Sequence, residues 1–122
     1  MIVDDHEVVR RGLHALLKTQ AGWAIVGEAV DGAEAVRKVN QLKPDVVIMD
    51  ISMPMMSGLD ATRLIMEAAP ETKVLIFTTH DSKQGKQAAL KAGARGYVLK
   101  SHAASDLIAA IKAVLCTFAM AA

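Results

Sequence analysis

Four groups of side chains suited to phosphoryl chemistry each follow an apolar run. Asp4 and Asp5 follow Met1-Ile2-Val3, Asp50 follows Val46-Val47-Ile48-Met49, Thr78 follows Val74-Leu75-Ile76-Phe77, and Lys100 follows Tyr97-Val98-Leu99. If each run is a buried parallel strand, these side chains emerge together at one edge of one sheet, where open α/β folds bind their ligands. Carboxylates gathered there repel one another and stay ionised only with a cation among them. A hard divalent ion such as Mg2+ meets that need, because it takes oxygen ligands in an octahedron that retains several waters. A softer metal is not indicated: His6, His14, His80, His102 and the single Cys116 show no recognised ligand spacing. A carboxylate can also attack phosphorus to give an acyl phosphate, provided that metal and a positive side chain offset charge on the transferring oxygens. Lys100 is suited to that second task, and the Thr78 hydroxyl to bonding the new phosphoryl oxygen. Singly, each residue has an ordinary reading: a helix cap, a turn aspartate, a strand end, a solvated lysine. All four coinciding at strand ends is what points to a site.

The elements that must position these residues alternate. Short aliphatic runs predict strands near 1–4, 23–29, 45–50, 73–78 and 95–99, and helical patterns fall near 6–19, 32–42, 57–69, 82–93 and 102–116. Such alternation argues for βα units around a parallel sheet. Pro44 and Pro70 end helical patterns before the third and fourth strands, and Gly93 and Gly96 loosen the approach to the fifth. In the first helix Val9, Leu13, Leu16 and Leu17 share an apolar face that predicts core. The pattern from 82 to 93 offers little to bury, and Gly85 costs it about 1 kcal/mol relative to alanine, so this helix is expected to be the least stable. The last helix is apolar on most sides, which leaves open whether part of it faces a partner.

Composition sets the outer bounds. With 122 residues, 52% of them hydrophobic and 22% charged, one globular domain is expected, and no apolar run is long enough to span a membrane. Fourteen basic against 13 acidic residues leave a formal charge of +1, without the basic stripe that duplex binding needs. One cysteine and no apolar leader imply a reducing, cytoplasmic setting.

Taken together, Ile2-Val3-Asp4-Asp5-His6, Met49-Asp50-Ile51-Ser52-Met53-Pro54 through Gly58, Thr78-Thr79-His80 and Gly96-Tyr97-Val98-Leu99-Lys100 resemble the receiver domain of two-component response regulators. Asp5-His6-Glu7-Val8-Val9-Arg10-Arg11-Gly12-Leu13 is similar to the NarL/FixJ (LuxR-type) branch. The resemblance implies a flavodoxin-like (βα)5 three-layer sandwich with a parallel five-stranded sheet of order 2-1-3-4-5. It implies a receiver over residues 1–116, with 117–122 a C-terminal tail or the start of a linker. Asp50 would accept phosphate from a histidine kinase. Asp5, Asp50 and the Ser52 backbone carbonyl would hold Mg2+, with Asp4 assisting through water. Thr78 and Lys100 would contact the phosphoryl group, Tyr97 would be the aromatic switch, and Ser52 and His80 would tune dephosphorylation rate. The implied molecule is a cytoplasmic signalling switch that catalyses its own phosphotransfer and autodephosphorylation, not a metabolic enzyme. Its kinase would dock near the first helix, and its output face would lie on the fourth helix, fifth strand and fifth helix, with a homodimer on phosphorylation left open. Transcription would be controlled through a helix-turn-helix domain that residues up to Ala122 do not supply, so this chain is expected to bind neither nucleic acid nor membrane directly.

Two further departures from the family pattern stand out: a first strand shorter than usual, and Ser101 where proline is frequent, which leaves the Lys100–Ser101 peptide geometry open. Three rivals compete. A haloacid-dehalogenase-like phosphatase needs a second aspartate where Ser52 stands, and a flavodoxin relative needs a phosphate loop that Asp4-Asp5 would oppose. An unphosphorylated pseudo-receiver acting as an interaction scaffold is the remaining alternative.

Overall fold

The computed structural model describes residues 1–120, with side chains through Cys116. The tail expected at 117–122 lies beyond the described side chains, and residues 121–122 lie outside the described residues. Five parallel strands form one sheet in the order β2-β1-β3-β4-β5. They are β1 (Ile2–Val3), β2 (Glu28–Ala29), β3 (Val46–Met49), β4 (Lys73–Thr78) and β5 (Gly96–Leu99). Helices α1 (Glu7–Leu17), α2 (Gly32–Leu42), α3 (Gly58–Ala68), α4 (Lys83–Ala92) and α5 (Ile108–Met120) connect and follow them.

Alternation along each buried strand sends side chains to two cores. Val3, Val47, Met49, Val74 and Ile76 join Ala35 and Val39 of α2, Ala61 and Ile65 of α3, and Ala89 of α4. Ile2, Ile48, Leu75, Phe77 and Val98 join Leu13 and Leu17 of α1 with Ile111 and Val114 of α5. A strand buried on both faces reads as a continuous apolar run, which is why the strands showed in the sequence as blocks. Of the expected α1 stripe, Leu13 and Leu17 are buried, while Val9 and Leu16 pack partly against the same core.

Local chemistry sets the boundaries. The Asp31 carboxylate accepts from Glu34 N–H at the start of α2, and Ser57 and Ser82 hydroxyls accept from Asp60 and Gly85 N–H at the starts of α3 and α4. Gly93 closes α4 at a φ of 108°, where a side chain would be strained. Two elements differ from expectation. Ladder pairing in the second strand is confined to Glu28–Ala29, opposite Ile2 and Val3, because a β1 of two residues offers Trp23–Val26 no partner. The fifth helix begins late: Lys100–His102 form a 3-10 turn and Ala103–Leu107 a π turn before α5. No cis peptide occurs among the described residues, so the Lys100–Ser101 bond is trans.

Candidate functional site

Register brings the chemistry-bearing residues together. Val3 pairs with Met49, Met49 with Ile76, and Thr78 with Leu99. The residues just past these pairs therefore share the carboxyl edge of the sheet. Asp50 N–H donates to the Val3 carbonyl at 3.0 Å, which sets Asp4 and Asp50 side by side although 46 positions separate them.

Asp4, Asp5, His6 and Asp50 each place one ligand atom within 4.8 Å of the others. Asp4 and Asp50 are buried, 1% and 4% exposed, whereas Asp5 and His6 face outward. Lys100, brought from the end of β5, donates to Asp4 Oδ2 at 2.7 Å and stands 3.3 Å from Asp50 Oδ1. Burial pushes the Asp50 carboxyl above the usual carboxylate range, and the Asp4 charge adds to that push, while the Lys100 ammonium pulls it back. Three carboxylates thus face one ammonium, and a divalent cation would cancel the remaining two charges. The oxygen-rich donor set suits Mg2+ on the same ground.

Thr78 is buried, and its hydroxyl accepts from His80 N–H at 3.2 Å. The carbonyl of the same His80 accepts from the Tyr97 hydroxyl at 2.6 Å. One residue of the β4–α4 loop is therefore held by Thr78 at its N–H and by Tyr97 at its C=O. The Tyr97 ring packs against the α2–α4 core, and its phenol is pushed above the usual value by burial and by Asp81 nearby. Ser52 and His80 side chains are exposed.

Two contributors were not singled out from the sequence as site residues. Arg10 donates to the Asp4 carbonyl at 2.8 Å and pairs with Glu28 at 3.2 Å, fixing the strand end beneath the carboxylates. His6 sits at the outer rim of the acidic cluster, its Nδ1 3.1 Å from Asp4 Oδ1 and 3.0 Å from Asp5 Oδ1. Ligand spacing gave no hint of His6, but its position directly after two aspartates was a usable signal. Gly58 is also required: a Cβ there would run into the Asp50 carbonyl oxygen, so the start of α3 can approach the site only without a side chain.

A fold of this topology with acidic, hydroxyl and lysine side chains at one sheet edge matches a known class. Residues 1–112 match the model of the response regulator receiver domain, and the chain belongs to that family. Its relatives place it in the NarL/FixJ, LuxR-type branch. It is 46% identical over 115 residues to the oxygen regulatory protein NreC of Staphylococcus carnosus, covering 93% of this chain and 53% of that protein. It is 40% identical over 114 residues to the transcriptional regulatory protein DegU of Brevibacillus brevis, covering 93% and 48%. The chain thus spans about half the length of these relatives. Among solved structures, the LuxR-family two-component response regulator from Aurantimonas sp. SI85-9A1 superposes with a TM-score of 0.92 at 41% identity, covering 96% of this chain and 84% of that one. The LuxR-family DNA-binding response regulator from Staphylococcus aureus gives 0.85 at 29% identity, covering 93% and 94%.

Proposed function

We propose that this receiver takes a phosphoryl group from a phosphohistidine of a sensor kinase onto Asp50, and that the resulting charge switches the β4–α4 loop to control an output. The observation that carries this reading is the contact of Lys100 with Asp4 at 2.7 Å and Asp50 at 3.3 Å, at a strand edge that also holds Asp5. In the transfer, an Asp50 carboxylate oxygen attacks phosphorus, the phosphorus–nitrogen bond breaks, and the imidazole leaves to regain a proton. Asp5, Asp50 and the Ser52 carbonyl would hold Mg2+, with Asp4 assisting through water, and the ion would supply positive charge to offset that of the transferring oxygens. Lys100 is close enough to exchange its carboxylate partner for a phosphoryl oxygen. Hydrolysis then returns Asp50 to its resting state, with Ser52 and His80 setting how readily water approaches.

The signal leaves through Thr78. A hydroxyl drawn to the phosphoryl group would release His80 N–H, and the His80 carbonyl carries that disturbance to Tyr97. The Tyr97 ring is half-buried against that core, and phosphorylation would act as a bias between two populations rather than the maker of a new shape. By likeness to NreC and DegU the whole protein would regulate transcription in the cytoplasm through a DNA-binding region outside this chain, with α4, β5 and α5 as the output face and a homodimer as one form of output. Residues 1–116 would be the receiver and the residues after them the start of the linker. No helix among the described residues is long and apolar enough to cross a membrane. Nothing in the relatives favours the pseudo-receiver alternative.

Incubation with a small acyl-phosphate donor and Mg2+, followed by borohydride trapping and peptide mapping, tests the assignment. Label is expected on Asp50 alone and lost in Asp50→Asn. Acid-labile, hydroxylamine-sensitive phosphate retained in that variant would refute the assignment.

A further inference from the structure

We propose that Lys86 is a positioning residue of the switch, its ammonium lying over the face of the Tyr97 ring and holding the phenol at the His80 carbonyl. The proposal rests on the reading of Tyr97 as the switch residue. Lys86 Nζ stands 5.8 Å from the centroid of the Tyr97 ring. A cation at that distance is drawn to the electron-rich face of the ring. The hydroxyl of the same ring donates to the His80 carbonyl at 2.6 Å. One side chain is thus held at its face by α4 and at its tip by the β4–α4 loop.

The start of α4 is built around this contact. Lys86 N–H donates to the Ser82 carbonyl at 3.1 Å, and the Ser82 hydroxyl accepts from Gly85 N–H at 2.9 Å, so the capped turn fixes where the lysine side chain starts. Gly85, just before it, lets the helix approach the ring closely: a Cβ there would stand 3.1 Å from the Tyr97 hydroxyl. Lys86 is exposed, and among the described residues its ammonium has the ring and no carboxylate as partner. The helix itself gains nothing from that charge. A cation near a helix N-terminus opposes the helix dipole, and α4 has no acidic residue in its first turn to offset it. A charge that works against its own helix while meeting the switch ring is placed for the ring.

The test labels the full chain with 3-fluorotyrosine, which falls on Tyr97 alone, and follows the fluorine resonance below the pH at which the phenol ionises. Wild type, Lys86→Met, Lys86→Gln and Lys86→Arg are compared with and without Mg2+ and the acyl-phosphate donor. Both neutral variants should lower the ratio of tethered to released ring about two- to fivefold, the loss of one exposed cation–π contact, whereas Lys86→Arg should keep the wild-type ratio. An unchanged ratio in the neutral variants, or a loss that Lys86→Arg shares, would overturn the proposal and leave the switch reading standing. A wild-type resonance that stays unmoved while Asp50 carries phosphate would instead overturn the switch reading itself, and this inference with it.

Discussion

At the scale of single residues, the site is a buried electrostatic compromise. Desolvation raises the Asp50 carboxyl, so above the ordinary pKa of 3.8 the folded chain binds more protons at this group than the unfolded chain does. Stability contributed by Asp50 therefore falls as pH rises through that window. Asp50→Asn removes the effect, and the variant should melt above the wild type at neutral pH without metal, the gap closing as pH drops toward 4; thermal melts across that range check it. Lys100→Met has the opposite sign. It leaves Asp4 and Asp50 without their ammonium, and a loss of about 3 kcal/mol is expected by denaturant titration, because removing one partner strands buried charge. Added Mg2+ should restore more stability to this variant than it gives the wild type, since it becomes the sole cation available there.

At the scale of elements, glycines decide how closely helices approach the chemistry. Gly58→Ala drives a methyl group into the Asp50 carbonyl, and about 1 to 3 kcal/mol of stability should go with it, together with slower phosphorylation in a donor assay. Gly85 plays a related part for the switch. A Cβ there would sit 3.1 Å from the Tyr97 hydroxyl and 2.7 Å from Ser82 Oγ, so Gly85→Val should lift the phenol off the His80 carbonyl. Tyr97 is the single tyrosine in the chain, so its ultraviolet titration reads this ring alone. In the wild type it should ionise above the usual value, and in Gly85→Val it should return toward it. Helix α4 buries only Ala89 and Ala92. Its amides should exchange with solvent faster than those of α1, α2 and α3, as would suit the output role proposed for it, and uniform protection across these four helices would contradict that proposal.

For the molecule as a whole, one sheet joins two tasks. Its carboxyl edge holds the charges, and its two faces hold the cores that fix how far apart those charges stand. A cation bound only by the folded form adds stability to the entire domain, about 2.7 kcal/mol at a hundredfold excess over the dissociation constant. Mg2+ should accordingly raise the wild-type melting temperature and do far less for Asp5→Ala, measured by the fluorescence of Trp23, the only tryptophan.

Much of this was legible in the chain itself. Apolar blocks gave four of the five strands, and the side chains after them gave Asp4, Asp5, Asp50, Thr78 and Lys100, because in a parallel sheet buried on both faces a strand is written as a continuous run and its end as the first polar residue. The short reach of β2 was not legible, since Trp23–Val26 has strand-like composition and what it lacks is a neighbour, which only β1 could supply. The late start of α5 escaped for a similar reason: the backbone from Lys100 to Leu107 winds as 3-10 and π turns where the helical pattern continues unbroken. Tertiary structure alone decided which oxygen Lys100 grips, that His80 is held at both its N–H and its carbonyl, and that the His6 ring meets two carboxylates. Such contacts depend on tenths of an ångström set by strand register and helix approach, whereas sequence order records only which groups are available to make them.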